Sequence, residues 1–143
     1  PNFLVALLMA LLAAGGFGVL FDVPGRALPA AAITGMLAYG VRWLIVKAGG
    51  PNEVAFFFAG ITIGVMAELL ARRLRTTSSL FAIPGYIPLV PGAVAFRAVL
   101  SFVEGDYTAG LADAVRAVLL IIAIAVGLGT VSALVRARQR PLF

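Results

Sequence analysis

The sequence contains no cysteine and no histidine, and only 12% of its 143 residues are charged. These absences exclude disulfide bridges, thiolate or imidazole metal sites, and nucleophiles that histidine activates. Since no clustered carboxylate pair is present either, we expect no enzyme, no metal site and no cofactor. The basic surplus of five charges is scattered among apolar segments, so we also expect no nucleic-acid partner.

Apolar residues are present in large excess. They make up 62% of the chain, against about 45–50% in soluble domains, so lipid must be the solvent for most of the protein. Runs of about 20 apolar residues, enough to cross a hydrocarbon core of roughly 30 Å, occur five times. We predict an all-α integral membrane protein whose residues 1–143 form a single transmembrane domain, with spans at about 2–21, 27–47, 53–73, 80–103 and 110–135.

The positions of Lys and Arg predict the orientation, because cytoplasmic loops retain these residues. The loop between the fourth and fifth spans has Glu104 and Asp106 with no base between them, as expected outside the cell. The sequence therefore predicts a multi-pass protein of the cell (inner) membrane, with its N-terminus outside and its C-terminus in the cytoplasm. Two arginine clusters then mark the cytoplasmic side: Arg72, Arg73 and Arg75, and Arg136, Arg138 and Arg140.

Five is an odd number of spans, and many transporters consist of two odd-span halves inserted with opposite topology. A five-helix chain of this size is also small for enclosing a solute path alone. We therefore predict one half of an inverted-repeat transporter, which works with a second five-helix unit.

The fourth span is interrupted by a segment rich in Pro and Gly, residues 84–92. Prolines remove backbone donors and clash with a continuing helix, so the pattern predicts a break in the helix there. Irregular backbone at membrane depth is tolerated only beside protein or a water-filled cavity. The break thus predicts a cavity or a tight contact. The alternative is that residues 84–92 form a cytoplasmic surface loop, and that the spanning helix runs from about Pro91 to Gly110.

A second half-helix that begins at Pro91 or Gly92 would direct its N–H groups and positive dipole end into this break, where an anion is favoured. Arg97 follows within this half-helix, and a charge at that depth needs a partner or water. We interpret Arg97 as a counter-charge for a solute carboxylate, with a salt bridge inside the bundle as the alternative. The candidate substrate-binding residues of this segment are Pro84, Gly85, Tyr86, Pro88, Pro91, Gly92 and Arg97.

The third span contains a GxxxG pattern, Gly60 to Gly64, which favours close helix packing. Thr62 lies between the two glycines and is a further candidate for substrate contact. In the second span, Arg42 and Lys47 are close to the outer end, where we expect their long side chains to snorkel toward water.

Three carboxylates are candidates for coupling transport to protons, and each has a structural alternative. Asp22 could instead cap the second helix or pair with Arg26. Glu68 is four residues from Arg72, and Asp113 is three residues from Arg116, so helical ion pairs explain both.

Two motifs resemble a known family: Gly-Phe-Gly-Val-Leu-Phe-Asp-Val-Pro-Gly-Arg-Ala-Leu at residues 16–28, and Ile-Pro-Leu-Val-Pro-Gly at residues 87–92. Over essentially its whole length the chain is similar to the short membrane subunit of the threonine/serine exporter family. Family members often have Asn at the position that matches Asp22, which argues against an obligatory role for Asp22 in proton transfer. The match extends most securely to six residues: Phe21, Pro24, Arg26, Pro88, Pro91 and Gly92.

The resemblance implies a secondary exporter of threonine and serine, or of a dicarboxylate such as succinate. Some members hold both five-helix halves in one polypeptide, and others pair a longer subunit with a short one. We therefore expect a proton-coupled subunit that moves a small carboxylate solute out of the cell, together with a larger subunit of the same family or a second copy. The alternative is a non-transporting membrane scaffold, which would need packing glycines but no interrupted helix.

Overall fold

The computed structural model describes residues 2–139, and these form helices joined by short turns. Arg140 of the second arginine cluster lies outside the described residues. A single 3₁₀ turn, Ile87–Leu89, separates the fourth and fifth of six α-helices, which are α1 (Phe3–Leu20), α2 (Leu28–Lys47), α3 (Asn52–Leu74), α4 (Ser79–Tyr86), α5 (Gly92–Val103) and α6 (Tyr107–Gln139).

The first three helices alternate in direction, whereas α6 runs parallel to α3. Contacts of α1 with α2 pair Ala14 with Gly35 and Leu7 with Gly40, so these two helices are antiparallel. On α3, Gly60 contacts Ile124 of α6 and Gly64 contacts Val131, so residue numbers increase in the same direction along both helices. Because α3 and α6 point the same way, the segment between them must return from one end of the bundle to the other.

Helices α4 and α5 make that return as one bent pair. Phe81 packs beside Ala67 near the end of α3, whereas Leu89 shares a cluster with Phe56 near its start. The pair bends by 50° between Leu89 and Gly92. The chain thus passes along the bundle five times, in four helices long and apolar enough to cross a membrane and in the bent pair. The surface-loop alternative for residues 84–92 is wrong, since Gly85 is buried between α2 and α3.

The irregular backbone is shorter than the sequence predicts. Pro84, Gly85 and Tyr86 belong to α4, so the prediction of a break from residue 84 onward is wrong for them. A proline removes one N–H and fixes φ near the helical value, and α4 continues through Pro84, whose ring is fully buried in the bundle. Only Val90 and Pro91 separate the 3₁₀ turn from α5.

Charged residues divide between the two ends of the bundle. One end, here called the acidic end, has Lys47, Glu53, Glu104 and Asp106 at its turns. The other, here called the basic end, has the last turns of α3 and α6 and the turn before α2. Its six described arginines are Arg26, Arg72, Arg73, Arg75, Arg136 and Arg138.

Two aspartates in the turns between helices behave differently from each other. Asp22 neither caps α2 nor pairs with Arg26, so both structural predictions for it are wrong: Ala27 is the N-cap, and the described ion pairs do not include Asp22. Asp22 instead adopts a left-handed conformation (φ 53°) in the turn, which Asp and Asn tolerate better than most residues. Asp106 does act as a cap, since its Oδ1 accepts the Ala109 N–H at 3.0 Å, and α6 therefore begins at Tyr107.

Glycine allows α3 and α6 to approach until their backbones touch. A methyl group added at Gly60 would overlap the carbonyl oxygen of Ile124, and one added at Gly127 would overlap that of Phe57. The close packing predicted from the GxxxG pattern is confirmed. A second close approach lies at Gly35 on α2, where an added Cβ would lie 2.5 Å from the Cβ of Ala14 on α1 and 3.3 Å from the ring of Pro88 in the bent pair.

We expect Gly127→Ala to destabilise the bundle, because the new methyl group must push α6 away from α3. Overpacking of this kind costs about 1–3 kcal/mol. Gly129→Ala is the matched control, since it lies on the same helix with open space around its Cα and should gain helix propensity. Thermal unfolding of both purified variants in detergent measures the difference, and equal midpoints would contradict the close contact.

Candidate functional site

A cavity of ≈ 440 Å³ lies beside the bend and opens near the acidic end of the bundle. Four elements meet around it: α2, α3, the bent pair and α6. Its lining consists of residues 88–94, Arg97 on α5, Arg42 on α2, Asn52 and Phe56 on α3, and Arg116 and Leu120 on α6.

Arg42 is the most constrained charge of the lining. Its guanidinium lies 4.8 Å from the ring centroid of Phe56 and 5.5 Å from that of Tyr39, so two aromatic faces hold it by cation–π attraction. Its Nε is buried and has no hydrogen-bond partner among the described residues. A buried donor without an acceptor is costly, so an anion or a water molecule that accepts a hydrogen bond from this Nε would stabilise the site. Snorkelling alone does not describe Arg42, because its guanidinium faces the cavity.

Arg97 lies beside a carboxylate on the neighbouring helix. Its Nε lies 3.6 Å from Oδ2 of Asp113, across the contact between α5 and α6. The prediction that Asp113 pairs with Arg116 is therefore wrong, because tertiary packing brings a second arginine to Asp113. The prediction that Glu68 pairs with Arg72 is confirmed at 3.2 Å.

The cavity has a surplus of two positive charges when Asp113 is counted with the three lining arginines. Arg116 is nine residues into α6, about 14 Å from its start at 1.5 Å per residue, and no carboxylate of the described chain pairs with it. Guanidinium groups suit carboxylates because their planar donors can make two parallel hydrogen bonds. This arrangement can bind a small anion.

The start of α5 adds backbone donors to the same cavity. Gly92 N–H donates to the Val90 carbonyl at 2.7 Å, and the N–H groups of Val94 and Ala95 both donate to Pro91. Among the described backbone hydrogen bonds none has the Ala93 N–H as donor. Because free N–H groups and the helix dipole favour negative charge at a helix N-terminus, the lining at Ala93 strengthens the preference for an anion.

The structure separates the predicted substrate-binding residues into two groups. Pro88, Pro91, Gly92 and Arg97 line the cavity, as does Val90 between them. Four others lie outside the lining: Pro84 and Gly85 are buried in packing contacts, Tyr86 packs on the core around Phe56, and the Thr62 hydroxyl donates to the Phe58 carbonyl at 2.9 Å.

The coupling candidates also separate. Asp22 and Glu68 lie at the basic end, away from the cavity, whereas Asp113 touches the cavity through Arg97. Sequence reasoning missed Arg42 and Arg116 as site residues. A usable signal was present, because both are charges inside apolar spans, and such charges mark functional sites.

Long apolar helices packed around a basic cavity are the architecture of a multi-pass membrane protein. The chain matches the family model described as "Threonine/Serine exporter, ThrE" over residues 6–134, and it belongs to that family. The comparison with solved structures found no match.

We expect the cavity to admit water and to prefer anions, and the cysteine-free chain allows a direct test. Ala93→Cys places a thiol on the lining, whereas Val99→Cys places one on an exposed face of α5 outside the cavity. In membranes, a negatively charged methanethiosulfonate reagent should label Ala93→Cys about tenfold faster than a positively charged one, because the arginines concentrate anions. Val99→Cys should react slowly with both, and equal rates for the two reagents at Ala93→Cys would contradict a basic, hydrated cavity.

Proposed function

We propose that this chain is one subunit of a secondary active exporter for small carboxylate-bearing solutes, and that the cavity beside the bend binds the solute carboxylate. The family supports an exporter of threonine or serine type. The observation on which the proposal rests is the meeting of Arg42, Arg97 and Arg116 from three different helices in one cavity. Helices that must move during transport would thereby share one ligand.

The solute carboxylate is proposed to lie between the start of α5 and the arginines. Pro88, Pro91 and Gly92 shape this part of the wall, and Gly92 leaves open space because no atom lies within 4 Å of a Cβ built there. Arg97 would exchange Asp113 for the solute, since a 3.6 Å pair between partly exposed groups is weak. Tyr86, Pro84 and Gly85 would support the wall from behind, and Thr62 has no contact with it.

Of the two solute classes, the charge of the cavity favours a dicarboxylate. A zwitterionic amino acid leaves the surplus of two positive charges unchanged and needs an acceptor for its ammonium group. A dianion such as succinate neutralises the surplus. Threonine or serine would be favoured if the second subunit contributes a carboxylate to this wall.

Asp113 is the coupling group we propose, in preference to Asp22 and Glu68. When a solute carboxylate takes Arg97, Asp113 loses its cation within a membrane span, where an unpaired charge is expensive, and we propose that a proton takes the place of that cation. Solute binding and proton binding would therefore be linked at a single ion pair.

The exposure of two arginines supports a second subunit. The Arg97 side chain is 58% exposed, and Arg116 is also exposed, although both lie within the length of the bundle. A charge that faces lipid is expensive, so we propose that a larger subunit of the same family, or a second copy, covers the open side of the cavity. On the positive-inside rule we propose that the basic end faces the cytoplasm, and that the protein lies in the cell membrane with its N-terminus outside.

We expect Arg97→Gln to lower the affinity for the solute by about tenfold to a hundredfold, the range for one lost charged hydrogen bond. Export should become slower at solute concentrations below saturation. Efflux of labelled succinate, threonine and serine from liposomes that contain the two-subunit complex measures this effect. Arg73→Gln is the control, because it removes the same charge at the basic end outside the cavity.

Three outcomes of this assay would contradict the proposal. Wild-type export by Arg97→Gln would remove that residue from the site. Export by the chain reconstituted alone as a stable monomer would remove the need for a second subunit. A complex that assembles but exports none of the acids would favour the scaffold alternative.

We expect Asp113→Asn to separate export from the proton gradient, because the amide cannot take up a proton. In the same liposomes, an interior more acidic than the outside should accelerate wild-type efflux, because proton and solute would leave together, and should leave the efflux of Asp113→Asn unchanged. A variant that still responds fully to the gradient would exclude Asp113 as the coupling group.

A further inference from the structure

A second cavity of ≈ 550 Å³ forms a groove along the outside of the α3–α6 pair, near the basic end. Its walls are apolar side chains that repeat every three or four residues on each helix, chiefly Ile61, Val65 and Leu69 on α3 and Leu134 and Val135 on α6. Val65, Leu69 and Leu134 are 41%, 55% and 64% exposed, so this face is not covered by the chain itself.

Charge is confined to one end of the groove. Glu68, Arg72 and Arg138 line that end, and one positive charge remains after Glu68 is counted against Arg72. The Arg72 side chain is 56% exposed and uses Nε for Glu68, and among the described hydrogen bonds its terminal nitrogens have no partner. No carboxylate of the described residues pairs with Arg138.

The length of the groove matches one leaflet of a bilayer. Ile61 and Arg72 are eleven residues apart, which is about 16 Å along a helix, close to half of a hydrocarbon core of roughly 30 Å. The apolar walls thus extend through about one leaflet and end at arginines near the membrane surface. This arrangement fits a lipid whose acyl chain lies in the groove and whose headgroup contacts the arginines.

We propose that this groove is a binding site for an anionic phospholipid of the basic-end leaflet. The acyl chain packs between α3 and α6, and the headgroup phosphate binds Arg72 and Arg138. A zwitterionic lipid fits the apolar walls equally well, but it brings a cation of its own toward the arginines. An apolar partner helix would fill the groove without neutralising its positive charge. The site is distinct from the solute cavity, which lies toward the opposite end of the same two helices, and it does not depend on the proposed function.

Fluorescence quenching by brominated lipid tests this site, because Trp43 is the single tryptophan and lies at the acidic end. In a Trp43→Phe background, Leu134→Trp reports from the groove and Leu20→Trp from an exposed position on α1 at the basic end. Vesicles of phosphatidylcholine contain a small fraction of either brominated phosphatidylglycerol or brominated phosphatidylcholine. At Leu134→Trp, half-maximal quenching should need about fivefold less of the anionic lipid, the effect of one arginine near a headgroup.

The charge requirement is tested by two double variants of equal net charge. Arg72→Gln with Arg138→Gln should abolish the preference for the anionic lipid, whereas Arg73→Gln with Arg136→Gln should keep it, since those two side chains do not line the groove. Equal quenching by both lipids in the parent, an equal preference at Leu20→Trp, or equal loss in both double variants would overturn the proposal. Absence of quenching at Leu134→Trp would also overturn it and would show that protein covers the groove. Thermal midpoints with each lipid provide a second readout if a tryptophan variant folds poorly.

Discussion

The direct contact between helix backbones at glycine positions is the constraint on which the rest of this structure depends. Lipid is as apolar as the side chains, so no hydrophobic force drives the helices together, and they are held by van der Waals contact at short range. Gly60 and Gly127 bring α3 and α6 to that range, and Gly35 on α2 leaves room for Ala14 of α1 and for Pro88 of the bent pair. Where these contacts form decides where every other element must lie.

The position of the bend follows from this packing. Gly85 fits against Thr34 and Ile63, and the ring of Pro88 lies against Gly35, so the end of α4 is held inside the bundle. The next residues cannot continue as a straight helix, and α5 leaves at 50° to pack along α6. The space beside this change of direction is the cavity, and α5 and α6 together bring Arg97 to Asp113.

The α3–α6 pair divides two different kinds of surface. Toward the acidic end it frames a cavity whose charges belong to three helices, whereas toward the basic end it presents an apolar groove with arginines at its rim. The two regions differ because α5 covers α6 at only one end. At the other end both helices face the membrane, and their side chains suit lipid.

The sequence by itself determined the membrane class, the five passes, the two arginine clusters at one end and the local pair of Glu68 with Arg72. Each of these depends on composition or on residues within one or two helix turns. Only the tertiary structure decided that Asp113 binds Arg97 rather than Arg116, that Pro84 lies within a helix, and that Arg42 and Arg116 share a cavity with Arg97. Those outcomes depend on which helices touch. A glycine in the sequence indicates that a neighbouring helix can approach closely, but it does not indicate which helix that is.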